Sequence, residues 1–159
     1  MVEATPGPHF KETAIIRHPW RIAPDGRFLV AGGGDFNTII GVGIIWNAIT
    51  GERIFTLPSD SLISAVAYSL DGKLAIIGSF NGTIHIWDAF TGKYVSILRG
   101  HTGVVNSPHS ADGTLLATSR LDGTARIWDM TNGVNLLTLP VDSGGIGKAV
   151  FNPDGNVSP

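Results

Sequence analysis

Five histidines, no cysteine and a scatter of serines are the residues of this chain that could carry chemistry. His101 and His109 with Asp112 are the nearest approach to a metal set, but their spacing matches no familiar ligand pattern. Without cysteine there is no thiolate nucleophile, thiolate metal site or disulfide framework. No G-x-S-x-G elbow presents a serine nucleophile. The stretch "GGIGKAV" (144–150) has the glycines of a phosphate loop and fails its spacing. Asp142 stands where the first glycine is needed, and Ala149 where a hydroxyl should bind the metal ion. "AGGG" (31–34) ends a strand with no helix after it to offer an N-terminus to a phosphate. "NGT" at 81–83 and "NVS" at 156–158 fit the glycosylation triplet, and the first reads better as a hairpin turn. The residues therefore predict no catalytic group, no metal and no cofactor.

The elements that would have to position any site follow a regular plan. Trp46, Trp87 and Trp128 are spaced by 41 residues, and each is followed by Asn or Asp: Asn47, Asp88, Asp129. Four residues beyond each Trp comes a Thr-Gly or Asn-Gly pair, at 50–51, 91–92 and 132–133. Asp-Gly recurs at 25–26, 71–72, 112–113 and 154–155, in steps of 46, 41 and 42 residues. The longer first step implies an insertion within 31–46.

One unit reads as four short strands. "ISAVAYS" ends at Asp71-Gly72, "KLAIIGS" at Asn81-Gly82, "TIHIWD" at Thr91-Gly92, and "KYVSILR" closes it. Asp-Gly, Asn-Gly and Thr-Gly suit tight turns because Gly accepts positive φ, so neighbouring strands run antiparallel. No segment has a useful helical period. A four-stranded antiparallel unit every 41 residues predicts an all-β fold of propeller blades.

The chain resembles the WD40 repeat proteins. The matching residues are Trp87-Asp88, Trp128-Asp129, the degenerate Trp46-Asn47, "GHTGVVNS" (100–107) and "DGT" (122–124). The resemblance places blade one at about 15–58, blade two at about 61–99, blade three at about 101–140 and part of a fourth at about 144–159. The repeat region spans 13–159, after a flexible segment at 1–12. It also implies a structural polar tetrad in blade three: His101, Thr118, Asp122 and Trp128. Carboxylate, imidazole, hydroxyl and indole N–H would form one buried chain of hydrogen bonds, costly to break. In blade two only Trp87 survives: Asn81 replaces the acid, Ile77 the hydroxyl, and the histidine position falls near Ser59. No "GH" precedes blade one. Pro108 sits inside the first strand of blade three and predicts a short or bulged strand around His109.

Propellers close with typically about 4–8 blades, so three blades and the first strand of a fourth imply an incomplete ring. An open arc leaves apolar sheet faces that a monomer rarely tolerates. Remaining blades are expected in cis, as in a longer propeller, or by self-association. The "NVSP" terminus (156–159), just after a turn, favours a fragment.

Charge is close to balanced, at −2, which argues against a nucleic-acid or anionic-membrane surface. The opening "MVEATPGPHF" lacks a secretory signal, and the longest apolar run, 39–46, is too short to span a bilayer. A soluble intracellular chain is the expectation. The implied function is a non-enzymatic scaffold that holds protein or peptide partners on its rim loops. Exposed candidates there are Asp60, Arg99, His109, Asp142 and Arg120. The alternative is an enzyme or small-ligand binder using a central channel. Its inward strands offer Arg17, His18, Arg21, His109 and Lys148 but no acid.

Overall fold

A computed structural model of the chain describes residues 19–35, 37–106, 113–120 and 123–140, with the backbone of 109–110, 150–151 and 157–158. The described residues form strands and turns, with no helix. Strands β1 (Trp20–Ile22), β2 (Phe28–Asp35), β3 (Ile40–Asn47) and β4 (Arg53–Ser59) make the first sheet. Strands β5 (Ile63–Tyr68), β6 (Leu74–Ser79), β7 (Ile84–Asp88) and β8 (Tyr94–Leu98) make the second. Strands β9 (His109–Ser110), β10 (Leu115–Ser119), β11 (Thr124–Asp129) and β12 (Asn135–Pro140) make the third. Each is an antiparallel meander in chain order. A hairpin of β13 (Val150–Phe151) and β14 (Val157–Ser158) follows. Its second strand lies at Val157–Ser158, which corrects the expectation that only the first strand of a fourth blade is present.

The glycine markers of the repeat are turns. Gly26, Gly51, Gly72, Gly82, Gly92, Gly113, Gly123 and Gly133 all take positive φ near +70 to +90°. The residue after each tryptophan secures the turn into the fourth strand. Asp88 Oδ1 accepts the Phe90 and Thr91 N–H groups at 2.9 and 2.8 Å. Asn47 Oδ1 does the same for Ile49 and Thr50 at 2.9 and 3.0 Å, and Asp129 Oδ1 accepts the Thr131 N–H at 2.8 Å. Short polar side chains bond their own turn in this way, which explains why Asp or Asn follows each Trp. The register between third and fourth strands shifts just before each tryptophan, at Ile45/Trp46, Ile86/Trp87 and Ile127/Trp128. A bulge at the same site in every blade marks it as part of the repeat.

The insertion in blade one lengthens its central hairpin. Phe28 to Asp35 pairs with Ile40 to Asn47 in eight rungs, against five in blade two. The added stretch is glycine-rich because the next blade lies on it. A Cβ on Gly32 would strike Ile63, one on Gly34 would strike Leu62, and one on Gly41 would strike the Ser61 carbonyl. Gly43 would place a Cβ 2.6 Å from Ile77 Cδ1. Glycine here allows close approach of chain to sheet.

The core lies between sheets. Val30, Ile45 and Leu57 of blade one pack against Val66, Ala75, Ile77 and Trp87 of blade two. Ile76, Ile84, Ile86 and Leu98 on the other face of blade two pack against Val105, Leu116 and Trp128. A fully buried side chain of this size contributes about 1.5–3 kcal/mol, so the interfaces between blades hold the arc together. Blade three begins irregularly. Val105 bridges Arg120, and among the described residues the next pairing with β10 is at His109–Ser110. Pro108, to which the sequence assigned this interruption, lies outside the described residues, as do 1–18 and 141–149.

Candidate functional site

The pleat places blade three's polar chain. Thr118 lies in β10 opposite Arg126 of β11. The Trp128 indole N–H donates to Thr118 Oγ1 at 2.8 Å, and His101 Nε2 lies 2.7 Å from the same oxygen. All three side chains are buried, Thr118 completely. Gly100, just before the histidine, is needed for approach: a Cβ there would sit 3.0 Å from Trp128 Cη2 and 2.7 Å from Arg126 Nη1. Three of the four tetrad residues are thus brought together. Asp122 lies outside the described residues.

Blade two has a different polar cluster at the corresponding place. By the 41-residue step, Asp60 stands where blade three has His101, and His85 where it has Arg126. Ile77 faces His85 across the ladder as Thr118 faces Arg126. The expected histidine position is therefore Asp60, one residue beyond Ser59. Ser59 instead shares a buried hydroxyl contact with Ser79 at 2.9 Å.

Asp60 Oδ1 accepts from His85 Nε2 at 3.0 Å, from Thr83 Oγ1 at 3.0 Å and from Asn81 Nδ2 at 3.2 Å. The Thr83 hydroxyl also reaches Asn81 Oδ1 at 2.7 Å. Arg99 approaches the other Asp60 oxygen at 3.9 Å. Partial burial pushes the Asp60 carboxyl up. Hydrogen bonds from His85, Asn81 and Thr83 and the charge of His85 outweigh it and hold the group below the ordinary aspartate value. Tyr94 packs beside this cluster, its ring centroid 6.2 Å from His85 and, edge to face, 5.0 Å from Trp87. The Trp87 indole N–H is buried and meets no hydrogen-bond partner among the described residues.

These contacts redraw the list of rim charges. Asp60 is engaged with the turn and third strand of blade two, while Arg99 stays largely exposed, 3.9 Å from the far Asp60 oxygen. Arg120 Nη1 donates to Thr102 Oγ1 at 2.5 Å. Of the inward candidates only the Arg21 side chain is described, and it donates to the Trp20 carbonyl at 2.8 Å. The side chain of His109 and all of Asp142 lie outside the described residues. No group of three or more potential metal ligands occurs among the described residues, and no helix there is long and apolar enough to cross a membrane.

Four-stranded antiparallel sheets stacked face to face, with turns and bulges at equivalent places, define a segment of a β-propeller that is not closed. The profile of the WD domain, G-beta repeat, matches residues 51–88 and 92–129. The fold is similar to that in the crystal structure of RRP9 WD40 repeats, with a TM-score of 0.73 at 19% identity. The likeness covers 84% of this chain and 41% of that one, so this chain spans less than half the length of the solved relative. No curated protein sequence matches it.

Proposed function

We propose that this WD40 segment is a non-enzymatic scaffold that holds protein or peptide partners on its rim loops. Its open end would be covered by further blades, in the same polypeptide or from a second copy. One observation carries the reading. Cross-strand pairing puts Trp20, Ile22, Leu29, Ala31, Ile44 and Trp46 on the face of blade one turned away from blade two. Trp20 is 58% and Ile22 52% exposed, and the other four are half-buried. Apolar faces of this kind mark an association surface. The polar groups described above support the scaffold reading too, because they bond turns and neighbouring blades to one another. Light scattering with a hydrophobic dye tests the reading. A monodisperse dimer supports closure between copies. A dye-binding monomer supports blades in cis. A monomer that binds no dye overturns the open face. Specific, mutation-sensitive turnover in a screen of peptides and metabolites would overturn the scaffold.

A further inference from the structure

We propose that Asp60, Asn81, Thr83 and His85 form a second polar lock. It clamps the connection between blades one and two. The geometry is that of a clamp. Asp60 belongs to the segment that leaves β4 and enters β5, so it lies between the first sheet and the second. Its partners Asn81, Thr83 and His85 all belong to the turn and third strand of blade two. Three donors therefore converge on one oxygen of a connecting residue. Blade three ties its own connection differently, through His101 to Thr118 and Trp128. In blade two Ile77 removes the hydroxyl on which that scheme depends. Acid and imidazole take new places, and the acid stands on the connection.

The proton assignment follows from chemistry. An ionised carboxylate only accepts, so His85 Nε2 must carry the hydrogen that faces Asp60. The groups that face His85 are Asp60 from the connection, Thr83 and Asn81 from the turn, and Tyr94 from β8. Arg99, after β8, lies on the far oxygen of Asp60. Asp60 is the one carboxylate of this set, and Arg99, 65% exposed at 3.9 Å, adds little to its hold.

Urea unfolding of the full chain, of Asp60→Asn, of His85→Gln and of the double variant at neutral pH tests this. Each single change should lower the folding constant roughly three- to tenfold. The double variant should lose less than the product of the two. Multiplicative effects would overturn the lock. Should a variant not fold, nitrogen NMR of His85 in the unaltered chain decides: at pH 8 the Nε2–H tautomer supports the assignment and the Nδ1–H tautomer sinks it.

Discussion

The Trp128 indole N–H points at the Thr118 hydroxyl, 2.8 Å away, and both side chains are shut off from water. In blade two the same rung places Ile77 where that hydroxyl would be, and the Trp87 N–H stays unpaired among the described residues. One repeat position is thus polar in one blade and apolar in the next.

Thr118→Val keeps the shape and removes the oxygen. It strands the Trp128 donor and takes a partner from His101 Nε2, so stability should fall by about 1–3 kcal/mol. Urea denaturation at neutral pH measures this. A midpoint within error of the unaltered chain would show that the hydroxyl does not hold the blade.

Asp122→Ala is the corresponding test of the remaining tetrad proposal. If Asp122 orients His101, its loss should also cost about 1–3 kcal/mol. The effects of Asp122→Ala and Thr118→Val should then be far from additive, because they belong to one network. Additive losses would remove Asp122 from that network.

Gly41 and Gly26 should respond differently to alanine. At Gly41 the new methyl meets the Ser61 backbone carbonyl, which cannot swing aside. A cost of about 1–3 kcal/mol is expected from overpacking. At Gly26 the space is open and only the φ of +72° resists, a cost of about 1 kcal/mol. Thermal unfolding of both variants gives the ranking, and a reversed order would contradict the tight seating of blade two on blade one.

Asp88→Asn should be close to neutral, because Asn47 secures the equivalent turn with an amide oxygen. Asp88→Ala, which removes the acceptor, should cost about 1 kcal/mol, the usual effect of losing a side-chain cap on backbone N–H groups. Urea midpoints of the two variants settle the comparison.

Acid should weaken the fold. Asp60, Asp71, Asp88 and Asp129 are all held below the ordinary aspartate value of 3.8. For Asp71 the largest cause is the Ser69 hydroxyl, for Asp88 the Thr91 backbone N–H, and for Asp129 the Thr131 hydroxyl. Their folded-state values are depressed, so the unfolded chain binds more protons in this window. Stability is then complete above the unfolded value and is lost as pH falls through the folded ones. A urea midpoint that stays flat from pH 5 down to pH 3 would contradict these turn contacts.

The turns of this fold were legible because they depend on neighbours in sequence. Asp-Gly, Asn-Gly and Thr-Gly fix local backbone shape, so strand number, order and direction followed. The insertion in 31–46 was legible as extra length, while its purpose was not. That Gly32, Gly34, Gly41 and Gly43 receive blade two depends on which sheet lies above them. The Asp60–His85 pair was missed for a similar reason. Looking for a histidine led to Ser59, one residue short, and nothing local links Asp60 to a residue in β7. The 41-residue step applied to Asp60 and His101, with the rung Ile77–His85, would have found it.

The glycine column of blade one bears on the order of assembly. Glycine is among the poorest formers of extended chain and loses the most freedom when fixed. The 32–34 and 41–43 stretches thus have little reason to straighten before Leu62, Ile63 and Ile77 arrive to cover them. Blade two, whose second and third strands are rich in isoleucine, can serve as the template on which its predecessor is laid down. Amide hydrogen exchange should then protect Ile76 and Ile86 longer than Gly32 and Gly43, and the first sheet should be the first to let go.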